Sequence, residues 1–103
     1  MNRRYDVVIW RRIASSPAGL AGRIIALVGR KPDESSELGR FQDFHWRFGS
    51  AEAAARCAES LLEVAAMECV VHLVISAYGD DAFDRKVYKD TRYSATANAG
   101  TPR

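Results

Sequence analysis

The pattern of apolar and polar positions marks three strands. From Tyr5 to Ile13, β-branched and aromatic residues dominate and nothing punctuates the run. Tyr5, Val7, Ile9 and Ile13 make its more apolar face, with Arg11 the exception; Asp6, Val8, Trp10 and Arg12 make the other. Arg40 to Phe48 places Phe44, Trp46 and Phe48 on one side and Phe41, Asp43, His45 and Arg47 on the other, and Gly49 ends it. Cys69 to Tyr78 carries Cys69, Val71, Leu73, Ile75 and Ala77 on a wholly apolar side, and Val70, His72, Val74, Ser76 and Tyr78 on a mixed one.

Helical spacing appears twice. Leu20, Ile24, Leu27 and Val28 recur with a helical period, Ser16-Pro17 suits an N-cap followed by proline in the first turn, and Gly29 suits the position after the last turn. Gly19, Gly22 and the pair Ile24-Ile25 argue for the rival reading, a buried strand from Arg23 to Val28; the caps favour a helix over 16–28. The second helix starts at a Ser50 cap and is predicted to run to about Glu68. Its apolar stripe is Ala54, Ala58, Leu61, Leu62 and Ala65; the opposite stripe is Glu52, Arg56, Glu59 and Glu63, with Glu52 and Arg56 spaced as an i,i+4 pair. Its alanines imply close packing on a flat partner, most simply a sheet. Lys31 to Gly39 reads as an acidic loop, Asp80 to Tyr93 as a docked helix or an edge strand, and Ser94 to Arg103 as a disordered tail.

Helices alternating with strands predict one α+β domain over residues 4–93. The expected architecture is a two-layer sandwich, ferredoxin-like or a shortened variant, with the helices on one sheet face. The other face would carry Trp10, Arg12, Phe41, Asp43, His45, Arg47, His72, Ser76 and Tyr78. That mixture of aromatics, arginine and histidine is the informative feature of the chain.

Composition narrows the class. The chain has 103 residues, 48% of them hydrophobic and 27% charged, which fits a globular protein and not a disordered one. The uncharged stretch Cys69–Gly79 is too short for a membrane helix and contains His72. No signal-peptide pattern opens the chain, and Cys57 and Cys69 would lie roughly 16 Å apart on one helix, too far for a disulfide. Both cysteines are therefore expected as free, buried thiols in a reducing, cytoplasmic compartment. The net charge of +2 hides a basic segment to Lys31 and an acidic one from Pro32 to Cys69, and these can meet within the fold. Twelve of the fifteen basic residues are arginine, which suits bidentate anion binding but also follows from a GC-rich, bacterial-like composition.

Three functions compete for the mixed face. The first is a homodimer or protein-partner interface built on Trp10, Arg12, Phe41, His45, Arg47 and Tyr78, with Asp43 neutralised by Arg12 or Arg47 of the second copy. The second is single-stranded RNA binding through stacking aromatics; Gly39-Arg40-Phe41-Gln42-Asp43-Phe44 does not meet the RNA-recognition signature, and Asp43 would repel phosphate. The third is catalysis, with Asp43 orienting His45 as a general base beside His72. No phosphate-binding glycine loop or nucleophile elbow is present, the two histidines lack metal-ligand spacing, and no cofactor is implied. The expectation is a non-enzymatic module that associates through this face.

Overall fold

A computed structural model describes residues 3–79 and 85–91. The chain runs β1 (Arg4–Arg12), α1 (Leu20–Val28), β2 (Glu34–Leu38), β3 (Phe41–Phe48), α2 (Ala51–Ser60), α3 (Leu62–Ala65), β4 (Val70–Tyr78) and β5 (Arg85–Asp90). The five strands form one sheet in the order β2-β3-β1-β4-β5, antiparallel at every junction. The helices pack on one of its faces, giving an α+β fold.

The core lies between helices and sheet. Tyr5, Val7 and Ile9 of β1, Phe44 and Trp46 of β3, and Leu73 and Ile75 of β4 meet Leu20 and Ile24 of α1 and Ala54, Cys57 and Ala58 of α2. Trp46 is fully buried, and its indole N–H donates to the carbonyl of Arg30 at 3.0 Å. This satisfies the one polar group its burial would otherwise orphan. Small residues on α2 let the helix approach the sheet, as the alanine stripe implied.

Local chemistry moved several boundaries. α1 begins at Leu20, not after Ser16-Pro17, and Ser16 lies outside the helix, with its hydroxyl donating to the carbonyl of Arg12. Gly19 takes the cap position with φ +83°, and Gly29, at φ +92°, donates its N–H to the carbonyl of Ile25. Residues 34–38 are a strand where a loop was expected. Their sequence has little strand propensity and all five are exposed, so pairing with β3 makes the strand. Gly39 and Arg40 form the two-residue connection, and Gly39 takes the positive φ, +62°, that such a turn needs.

The predicted long helix is broken. Ser50 caps α2 by accepting from the Ala53 N–H at 3.1 Å, as expected. At the other end Ser60 Oγ donates to the Cys57 carbonyl at 2.6 Å, and Leu61, at φ −97°, ψ 0°, donates its N–H to the Ala58 carbonyl three residues back. The chain resumes as the four-residue α3, which turns Leu61 and Val64 inward and leaves Leu62 45% exposed. Leu62 therefore does not belong to the buried stripe. The Glu52–Arg56 ion pair is also not formed.

Two bulges shift the sheet. Trp10 opposes His72 while Arg11 opposes Val70, so Val71 is an extra residue on β4 and Val70, not Val71, joins the helix-side core. Tyr88 is the extra residue on β5 and packs against the same core. Within the stretch 80–93, Arg85–Asp90 is an edge strand. The expected disordered tail, 94–103, lies outside the described residues. Lys89 crosses from β5 to donate to the carbonyls of Ala65 and Met67 at the end of α3, and burial holds its pKa below the usual lysine range. The basic and acidic segments meet in the pairs Arg23–Glu63 and Arg30–Asp33.

Both cysteines are free and buried. Burial raises the Cys57 thiol to about 12, against a lowering by Arg30. Because the folded thiol holds its proton longer than the unfolded one, its contribution to stability is complete below the unfolded pKa and is lost as pH rises from about 9 toward 12. Urea melts across that window should fall more steeply for the wild type than for Cys57→Ala. Parallel pH profiles would contradict the buried thiol. In the same assay at neutral pH, Leu61→Ala should cost ~2–5 kcal/mol and Leu62→Ala only about 0.5 kcal/mol.

Candidate interaction face

Pairing register places the mixed residues of three strands on the sheet face away from the helices. Across neighbouring strands, Leu38 opposes Phe41 and Phe41 opposes Arg12. In the next row Ser36, Asp43, Trp10, His72 and Asp90 align, followed by Glu34, His45, Val8, Val74 and Val87. Arg47, Asp6, Ser76 and Arg85 make a further row, and Arg4 opposes Tyr78 at its end. Trp10, Phe41, Asp43, His45, Arg47, His72, Ser76 and Tyr78 thus share one surface.

An apolar band runs diagonally through these rows: Val87, Val74, Val8, Trp10, Phe41, Leu38. Its ends, Val87 and Leu38, are 51% and 55% exposed, whereas Val74 and Val8 at its centre are buried. The Trp10 ring lies 5.6 Å from Phe41, tilted at 53°, and 5.8 Å from His72, edge to face. These separations are those of favourable aromatic pairs.

The charges beside the band are compensated within the chain. Asp6, buried on this face, lies 3.3 Å from Arg4 Nε and 3.9 Å from Arg47 Nε. Arg47 also pairs with Glu34, and the Arg4 guanidinium sits 4.5 Å over the Tyr78 ring. Arg85 reaches Asp90 at 3.4 Å. Asp43 is held by β2 and by its own strand: Oδ1 accepts from the Ser36 N–H and hydroxyl, both at 2.9 Å, and Oδ2 lies 3.3 Å from His45 Nε2. Asp43 thus has hydrogen-bond donors in its own chain, while Ser36 carries no charge to offset that of the carboxylate. Arg12, opposite Phe41 at the end of the sheet, also lines a cavity with Ser15, Pro17, Met67, Glu68 and Cys69.

For catalysis the geometry is incomplete. The Asp43–His45 pair exists, but His72 does not stand beside it: Trp10 lies between, and two inter-strand steps separate Asp43 from His72 by about 10 Å. His72 has its own carboxylate, Asp90, at 3.4 Å from Nδ1. The Ser36 hydroxyl donates to the carboxylate and not to an imidazole, so it is not poised as a nucleophile. Among the described residues no three histidine, cysteine or carboxylate side chains gather as metal ligands.

Sequence reasoning missed Asp6 as a buried charge, Asp90 as the partner of His72, and Leu38 and Val87 as the ends of the band. Leu38 had a signal in the two-residue Gly39-Arg40 connection, which places it opposite Phe41. Compared with protein-family models, with curated proteins and with solved structures, the chain matches none of them. No described helix is long and apolar enough to cross a membrane.

Asp43 ties β2 to the sheet from within the candidate face. Asp43→Ala should cost ~1–3 kcal/mol by leaving the Ser36 donors without their acceptor, and Asp43→Asn, which keeps a carbonyl oxygen, should cost less. Native-state hydrogen exchange should show the amides of 34–38 exchanging faster in the alanine variant. Unchanged exchange there would mean that Asp43 does not hold the hairpin.

Proposed function

We propose that this chain is a small, non-enzymatic module that associates with a second copy of itself through the helix-free sheet face. The observation that carries the reading is the diagonal apolar band with exposed ends, bordered by charges already paired in the same chain. A face carrying its own counter-charges meets a copy without net repulsion, while the exposed ends of the band, Leu38 and Val87, supply apolar area that water would otherwise cover. Two such sheets pack about 10 Å apart, with side chains from both faces interleaved. The exposed Leu38, Tyr78 and Val87 are placed to be covered by that contact.

What supports a ferredoxin-like fold is the β-α-β-β-α-β succession through β4, with β1 between β3 and β4; the added edge strand β5 departs from it. Two buried, unlinked cysteines support a reducing, cytoplasmic setting. The single-stranded RNA reading draws on Trp10 and Phe41 as stacking platforms, but among the described residues Asp6, Glu34, Asp43 and Asp90 interrupt the arginines Arg4, Arg12, Arg47 and Arg85 of that face. The general-base reading has the Asp43–His45 contact alone.

Sedimentation equilibrium of the wild type, Trp10→Glu and Leu38→Glu tests the proposal, with circular dichroism to show that each variant is folded. The wild type should sediment as a dimer at tens of micromolar, and each variant should dissociate with a dissociation constant raised ~10-fold or more. Leu38 is exposed at a hairpin end, so its substitution tests the contact without burdening the core. A folded wild-type monomer, or dimers that survive both substitutions, would refute the proposal.

A further inference from the structure

On the opposite side of the sheet, the C-terminal turn of α1, the end of β3 and one flank of α2 line an open-mouthed cavity of about 270 Å³. Leu27, Val28 and Phe48 give it apolar walls, and Arg30 and Arg56 stand at it from the two sides. Arg30 is held in place: its guanidinium lies 4.9 Å over the Phe48 ring and donates to the Arg47 carbonyl at 2.7 Å, with Asp33 at 3.3 Å. Arg56 has no hydrogen bond or ion pair among the described residues, although Glu52 and Glu59 lie one turn away on the same helix. One guanidinium is thus oriented in advance and the other is uncommitted, beside an apolar hollow.

We infer that this cavity binds a small organic anion: a carboxylate attached to a compact aromatic or branched apolar body. Two guanidiniums match the carboxylate because planar N–H donors pair with its oxygens in bidentate fashion. The apolar walls take the body, and the volume, just below the usual range for drug-sized ligands, limits that body to about one ring. With Asp33 compensating part of Arg30, the cavity keeps a net positive charge from Arg56. Cys57, also at the cavity, retains its proton at physiological pH because burial raises its thiol, so no thiolate opposes an incoming anion. The site is independent of the sheet face proposed for self-association.

Phenylacetate serves as the probe, with phenylacetamide as its uncharged counterpart and acetate as the anion without a body. In amide and methyl NMR titrations of the whole chain, phenylacetate should produce saturable shifts centred on Leu27, Val28 and Cys57. Phenylacetamide and acetate should each bind ~10-fold more weakly or worse, since a charge-assisted bidentate contact and a buried ring each contribute on that scale. Arg56→Gln, an exposed helix position, should weaken phenylacetate ~10-fold without changing the fold. Arg30→Gln should do the same, and its amide spectrum reports separately whether the loop after α1 survives. Phenylacetamide binding as tightly as phenylacetate, unaltered affinity in Arg56→Gln, or no saturable shift at these residues would overturn the assignment.

Discussion

The side chains of β1 point alternately to the two sides of the sheet, and antiparallel neighbours pair with it along both edges, so its register determines what each side of the molecule presents. Val7 opposes Trp46 on one edge and Ile75 on the other, under the helices; one residue on, Val8 opposes His45 and Val74, away from them. A slip of one position would expose Val7 and Ile9 and drive Asp6 and Trp10 beneath α1 and α2. The buried carboxylate of Asp6 makes such a slip especially costly, because its guanidinium partners Arg4 and Arg47 stand on the open side. Core and candidate face are therefore two readings of one register.

Much of that arrangement was legible because period-two alternation is strong in β3 and β-branched and aromatic residues dominate β1. Phe44 and Trp46 against Asp43 and His45 separate the two sides of β3 without ambiguity, and the capping chemistry of Ser50 and Gly29 marks helix ends that the fold uses. What escaped depends on contacts distant in sequence or on a single inserted residue. Glu34–Leu38 has no strand propensity of its own; Asp43 and the β3 backbone impose extension on it. The bulge at Val71 reverses the parity of β4 below His72, which no alternation pattern reveals in advance. The break at Leu61 coincides with Ser60 bonding back to its own helix, a local contact hidden beneath an otherwise continuous apolar period.

The candidate face was legible as a set of residues but not as an electrostatic object. Parity grouped Trp10, Phe41, Asp43, His45 and Tyr78, yet it could not show that Asp43 is occupied by Ser36, or that Asp6 collects two arginines. Pairing inside the chain changes the meaning of the charges. A carboxylate that already has partners enters any further contact with part of its accepting capacity in use. Exposed pairs such as Arg23–Glu63 add little stability. Those on the open face set acids beside bases among the described residues, as in Asp6 with Arg4 and Arg47.

The lysine that crosses from β5 to the end of α3 joins two elements that would each be weak alone. An edge strand is bonded along one side only, and a four-residue helix has scarcely any hydrogen bonds of its own. Lys89 satisfies the Ala65 and Met67 carbonyls, so detaching the strand uncaps the helix, and unravelling the helix strips the strand's lysine of its acceptors. Strand and helix consequently open as one cooperative unit, and the sheet edge farthest from β2 inherits its resistance to fraying from a helix on the other layer.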